Sequence, residues 1–240
     1  MDLPLIIGHR GAKGVKEENT PEAFDYACRS GVSCVELDAM LSKDGEAFVF
    51  HDETVDRMCP SATGRLDAMD SEDILRLKTS GGNVIPRLAE VLSLIKGYDG
   101  VCVNVEIKPS RPELAERTAG RVWEVVKKIN FDDPDRLLFS SFSLAALKTV
   151  SELAPHIGRG VLAGSKRFDW KKAAKRLKAY SVHYDYALLT PELIRDILNE
   201  GYLPAAYTVN AVETAKRLAD EGVRSFFTDF PVEMKAAFTK

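Results

Sequence analysis

Strand-like and helix-like segments alternate along most of this 240-residue chain, and that alternation limits what it can fold into. Short apolar runs suited to buried strands occupy residues 5–9, 34–38, 101–107, 136–141, 157–162, 180–184, 204–209 and 225–228. Amphipathic helical patterns separate them at 86–96, 112–129, 144–153, 171–177, 191–199 and 212–221. A further helix starts at Thr20-Pro21, with Thr20 as N-cap and Pro21 at the first helical position, and ends at Gly31. Strands alternating with helices predict a parallel sheet. Eight such units in about 250 residues fit a (β/α)₈ barrel better than an open doubly wound sheet. No linker-like tract or strong repeat interrupts the pattern, so one domain is expected over 1–240.

One segment departs from the alternation. Val35 to Asp52 reads V-E-L-D-A-M-L-S-K-D-G-E-A-F-V-F-H-D, two apolar arms around Asp44-Gly45, a strong hairpin signal. With Asp44 and Gly45 as the central turn residues, Asp38 falls opposite His51 and Glu36 opposite Glu53, with Cβ atoms roughly 5 Å apart. Glu36 and Asp38 share a face because strand side chains alternate. Residues 54–84 lack a strong pattern apart from a short helix near 71–77, and read as a small insertion.

A formal net charge of −3 gives no footprint for nucleic acid or for stable association with an anionic membrane. No apolar run approaches the roughly 20 residues of a membrane-spanning helix. The opening M-D-L-P-L-I-I-G-H-R lacks the basic flank and long apolar run of a signal peptide. Cys28, Cys34, Cys59 and Cys102 form no C-x-x-C pair and sit in mostly apolar patterns, so reduced, buried thiols and a cytoplasmic location are expected. The sequence gives no reading of oligomeric state.

In a barrel of this kind, reactive groups sit at the carboxyl ends of the strands. His9 and Arg10 follow the first strand, Glu36 and Asp38 lie on the second, Glu106 and Lys108 close the third, and His51 ends the hairpin arm. Glu36, Asp38 and Glu106 offer hard oxygen ligands suited to one divalent cation, Mg²⁺ or Ca²⁺, with Mn²⁺ also compatible. Arg10, as a fork, and Lys108, as a point charge, suit an anionic small-molecule substrate. His9 and His51 titrate near neutrality, so one can take a proton while the other gives one. Metal, two cations and two imidazoles around one cavity describe phosphodiester cleavage.

The same residues carry a resemblance. H-R-G at His9, E-N-T-P-E-A-F at Glu18, E-L-D at Glu36, D-G at Asp44, H-D at His51 and E-I-K at Glu106 resemble the glycerophosphodiester phosphodiesterase family. S-F at Ser141, Y-T-V-N at Tyr207 and T-D-F-P at Thr228 extend the match over nearly the whole chain. The resemblance implies a distorted (β/α)₈ barrel that hydrolyses glycerophosphodiesters to glycerol 3-phosphate and an alcohol. By it, His9 and His51 match the acid/base pair, Glu36, Asp38 and Glu106 the metal ligands, and Arg10 and Lys108 the phosphate-holding positions. The 54–84 stretch resembles a small insertion over the active-site mouth. Two positions depart from the family pattern: Glu17 stands where proline is usual, and Tyr207 where tryptophan is usual.

Rival readings keep the barrel but change the reaction. Headgroup release from lysophospholipids would need an apolar acyl slot, which the polar 54–84 stretch does not supply. A non-catalytic phosphate-binding barrel would have a broken constellation, and none of the seven residues is missing. An amidohydrolase-type metal barrel is disfavoured because H-x-H is absent at the first strand. His156 is expected to be exposed, His183 and Trp123 structural, and the basic helix beginning at Trp170 a solvated face.

Overall fold

Glu36 and Asp38 sit in an eight-residue strand of which every residue is buried. That is tolerable only if the strand has two different interiors to face. In the computed structural model, which describes residues 3–239, β2 (Cys34–Leu41) has both. Val35, Leu37, Ala39 and Leu41 pack outward against helices, among them Phe24, Val91 and Val122. Cys34, Glu36 and Asp38 take the opposite face, and Met40 carries that face upward into a separate cluster under the insertion.

The other strands are β1 (Ile6–Gly8), β3 (Ala47–Val49), β4 (Cys102–Ile107), β5 (Leu137–Ser141), β6 (Gly158–Ala163), β7 (Ser181–Asp185), β8 (Leu203–Tyr207) and β9 (Ser225–Thr228). The parallel pairings run β1-β9-β8-β7-β6-β5-β4-β2, and β2 returns to β1 through Gly8 and Val35, closing the barrel. Among the described residues only strand β3 is outside it, antiparallel on the protruding end of β2. The helices are α1 (Pro21–Arg29), α2 (Ser71–Arg76), α3 (Leu88–Lys96), α4 (Ala115–Lys128), α5 (Leu144–Leu153), α6 (Trp170–Leu177), α7 (Pro191–Asn199), α8 (Val212–Glu221) and α9 (Pro231–Phe238). Each barrel strand is thus followed by a helix, as the alternation predicts. The Thr20 hydroxyl caps α1 by accepting from the Ala23 amide, with Pro21 at the first position. Helix α9 is not among the expected helices; its apolar stripe is short, with only Pro231 and Met234 buried.

Residues 54–84 form their own small core, in which Phe48, Phe50, Val55, Leu66, Ile74 and Ile85 are fully or almost fully buried. Burying each such side chain contributes roughly 1.5–3 kcal/mol, enough to hold a short segment with little regular structure. Asp67 fastens this unit to the loop after β4, accepting from Ser110 Oγ at 2.7 Å and Arg111 Nε at 2.9 Å.

Two expectations are corrected. The hairpin register is not the one implied by a two-residue turn: Ala39 pairs with Val49, Met40 with Phe48 and Leu41 with Ala47. Lys43, Asp44 and Gly45 all lie in the loop, closed by Ser42 N donating to Glu46 O at 2.9 Å, with Gly45 left-handed at φ 88°. This is the three-residue hairpin in which glycine takes the αL position. Asp38 therefore faces Phe50, whose amide donates to the Asp38 carbonyl at 3.0 Å, and Glu36 does not face Glu53. The second correction concerns the thiols. Cys34 and Cys102 are register partners on β2 and β4, with Cα atoms 4.5 Å apart, and form a disulfide; Cys28 and Cys59 remain free and buried. The pair is 68 residues apart, so no local spacing rule could find it. Met1, Asp2 and Lys240, including the start of the N-terminal stretch read above, lie outside the described residues.

Candidate active site

The loop leaving β1 turns sharply at H-R-G. Arg10 is left-handed (φ 50°) and Gly11 more so (φ 85°); a Cβ on Gly11 would lie 2.7 Å from the Ala23 backbone of α1. This turn aims the Arg10 amide at Glu36 Oε2, 2.8 Å away, and lets the guanidinium reach Glu18 Oε1 at 2.6 Å. The E-N-T-P stretch follows from the same need. Glu18 holds Arg10, Asn19 (φ 58°) donates to Asp38 Oδ2 at 2.9 Å, and Thr20-Pro21 begins α1.

Glu36, Asp38 and Glu106 converge, with candidate ligand oxygens all within 4.8 Å of one another. Two like charges at that separation repel by about 3 kcal/mol at an effective dielectric near 20. The carboxyl groups respond accordingly. Burial and then Asp38 and Glu106 push Glu36 well above the usual carboxylate range, and burial and Asp38 push Glu106 up to about 8. Asp38 stays low despite its burial because Lys108, Arg10 and His51 face it. Lys108 Nζ stands 3.5 Å from Asp38 Oδ1 and 4.0 Å from Glu106, and Arg10 Nε stands 3.4 Å from Asp38 Oδ2. Three oxygen donors, two of them with carboxyls raised by burial and by their neighbours, fit a hard divalent cation, which would remove the mutual repulsion.

Both site histidines are oriented by carboxylates. His9 Nδ1 lies 2.7 Å from Asp229 Oδ1, and Asp229 Oδ2 accepts from Asn210 at 2.9 Å. His51 Nδ1 lies 2.7 Å from Asp52 Oδ1. Burial would raise the Asp52 carboxyl, but hydrogen bonds from Arg57 and His51 bring it to about 2. Burial pulls His51 itself below the ordinary imidazole range. With ionised carboxylates on Nδ1, each ring carries its proton there and leaves Nε2 open.

A cavity of about 190 Å³ at the carboxyl ends of the strands is lined by His9, Arg10, Glu36, His51, Glu106 and Lys108. Asp38, 1% exposed, lies behind it within the carboxylate cluster. Asn104, Ser140 and Thr208 add polar lining, while Phe142, Leu162, Tyr207 and Phe227 add apolar lining. Phe142 and Tyr207 meet edge to face with ring centres 6.1 Å apart. All seven residues expected from the sequence thus converge. His51 does so by a route other than the expected one: β3 ends at Val49, and once the chain leaves the ladder the alternation no longer binds it. Asp52 and Asp229 were not singled out. The signal was present, an acidic residue directly after His51 and one between Thr228 and Phe230 at a strand end. His183 lies elsewhere in the interior, fully buried, bonded through Nε2 to Ser181 Oγ at 2.7 Å, with burial pushing its pKa down to about 3. His156 is exposed, and Lys171 of the basic helix pairs with Glu200 at 3.1 Å on the surface.

Comparison with known proteins bears on this geometry. The family model for the glycerophosphoryl diester phosphodiesterase family matches residues 9–233. A protein of Caldanaerobacter subterraneus subsp. tengcongensis named glycerophosphodiester phosphodiesterase is 35% identical over 234 residues, 95% of this chain and 94% of the relative. One of the same name from Bacillus altitudinis is 32% identical over 239 residues, 95% and 96% of the two chains. Among solved structures, a phosphodiesterase from Oleispira antarctica in complex with the product sn-glycerol-3-phosphate superposes with a TM-score of 0.93. It is 30% identical, with 99% of this chain and 98% of that one covered.

Proposed function

The chain belongs to the glycerophosphoryl diester phosphodiesterase family, and from that premise we propose that it hydrolyses small glycerophosphodiesters, such as glycerophosphocholine or glycerophosphoethanolamine, to glycerol 3-phosphate and an alcohol. The observation that carries this reading is the pairing of two carboxylate-anchored imidazoles with a cluster of three carboxylates and two cations around one cavity.

The convergence of their oxygens supports a divalent cation at Glu36, Asp38 and Glu106, where it would offset the burial and mutual repulsion that raise Glu36 and Glu106. Such an ion would supply Lewis-acid stabilisation of charge on a phosphoryl oxygen. The chain's own groups do the rest. Arg10 and Lys108 draw the phosphodiester anion into the cavity and hold its oxygens. His51, kept neutral by burial, takes a proton at Nε2 from the attacking hydroxyl, whether that belongs to water or to the substrate's own glycerol. Asp52 stabilises the imidazolium that forms. His9, anchored through Nδ1 by Asp229, acts from Nε2 as the acid that protonates the departing alcohol. Phe142, Tyr207 and Phe227 provide an apolar wall on which the glycerol carbons can rest.

The alternative, headgroup release from lysophospholipids, has little support from the insertion, where Val55, Leu66 and Ile74 are buried in its own core and Val84 is left exposed. The test is to incubate the purified protein with glycerophosphocholine, glycerophosphoethanolamine and lysophosphatidylcholine and identify the phosphate-containing product. Glycerol 3-phosphate from the first two supports the proposal. Turnover of the lysolipid alone, or of none of the three, contradicts it.

A further inference from the structure

One side chain of the 54–84 insertion, which the roles above do not use, reaches the carboxylates that hold two of the cavity's residues. Arg57 does not line the cavity, yet its guanidinium donates in two directions. Nε reaches Asp52 Oδ2 at 2.5 Å, while Nη1 and Nη2 reach Glu18 Oε2 and Oε1 at 3.0 and 2.7 Å. The other oxygen of Asp52 holds His51 Nδ1 at 2.7 Å, and Glu18 Oε1 also accepts from Arg10 Nη1 at 2.6 Å. An unbroken chain of charge-assisted hydrogen bonds therefore runs His51–Asp52–Arg57–Glu18–Arg10. We propose that Arg57 is a positioning residue, one planar fork that sets the orientation of the histidine and of the phosphate-holding arginine together. This rests on the function proposed above.

Two features separate this role from that of a fastener. The insertion is already held down without Arg57: Glu17 accepts from Thr79, the Gly81 amide and Asn83, Asp67 binds Ser110 and Arg111, and the segment has its own apolar core. Arg57 also stands on a firm base, the turn in which the Cys59 amide donates to the Val55 carbonyl at 2.8 Å, with Val55 and Cys59 fully buried. The residue type matters too. Guanidinium presents several donors in a rigid plane and can grip two carboxylates at once, which the single nitrogen of lysine does not.

Steady-state kinetics on a glycerophosphodiester, with thermal unfolding as a control, test the proposal in Arg57→Gln, Arg57→Lys, Asp52→Asn, Glu18→Gln and the Arg57→Gln double variants. Arg57→Gln is expected to lower kcat and raise KM, with kcat/KM down on the order of 10–100-fold, as for outer partners of other active-site ligands. In the Asp52→Asn background the same change lowers kcat no further but still raises KM. In the Glu18→Gln background it raises KM no further but still lowers kcat. Arg57→Lys falls between wild type and Arg57→Gln. Equal losses in every background, or a wild-type rate in Arg57→Gln, would overturn the proposal. A crystal structure of Arg57→Gln decides independently of activity. Displaced Asp52 and Glu18 carboxylates with reoriented His51 and Arg10 support it, and unmoved side chains contradict it. If wild type turns over no glycerophosphodiester, the function fails while this structural result still stands.

Discussion

At the scale of single residues, His9 and His51 each have Nδ1 bound to a carboxylate and Nε2 left for proton transfer. Replacing either by Ala should lower kcat by on the order of 10²–10⁴, the usual range for a general acid or base. Near-normal turnover in either variant would remove the two-histidine scheme. The pH profile adds a direction. Burial holds His51 below the ordinary 6.5 of imidazole, so its neutral, proton-accepting form survives as pH falls through 6.5 and is lost only lower. The acid limb of kcat/KM should therefore lie below 6.5, measured on the metal-loaded protein; a limb above that value contradicts His51 as the base. These seven residues were legible because their types are chemically unusual at strand ends. Their partners were less so, since an aspartate beside a histidine looks like any polar loop residue until the fold turns it inward.

At the scale of elements, the alternation of strands and helices was read almost to the residue at α5, α7, α8 and β9, where polar loops bound clear apolar patterns. The hairpin was recognised but mis-registered by one position. Asp-Gly is compatible with a two- or three-residue turn, and only the tertiary pairing of β2 with β3 decides between them. The insertion was opaque for a different reason: its stability comes from a small irregular core and from side-chain bonds, neither of which is periodic. Glu17 accepts three of those bonds, joining the β1–α1 loop to residues 79–83. Glu17→Ala should leave the barrel's hydrogen exchange unchanged while the Gly81 amide, its donor at 2.9 Å, exchanges faster. Unchanged protection at Gly81 would show that the contact does not anchor the loop.

At the scale of the molecule, the barrel interior holds a titratable group, His183, that ties stability to pH. His183 has a folded-state pKa near 3 against an ordinary 6.5, because charging it in the interior is unfavourable. Between those values the unfolded chain binds the proton and the folded one does not, so stability falls as pH drops from about 6.5 towards 3. His183→Gln should flatten that slope relative to wild type in urea titrations across this window; an unchanged slope would mean the imidazole is not held neutral. The disulfide between Cys34 and Cys102 also belongs to this scale, since it is set by the pairing of β2 with β4 and was invisible in the spacing of the cysteines. The folded barrel brings three carboxylates together, Glu36 and Asp38 buried and Glu106 half-buried, as the cation site proposed to serve glycerophosphodiester hydrolysis. That role is tested most directly by following glycerol 3-phosphate release from glycerophosphocholine after EDTA treatment and after adding back Mg²⁺, Ca²⁺ or Mn²⁺. Chelation is expected to abolish release and one of these ions to restore it; full release by the chelated protein would rule out a metal-dependent site.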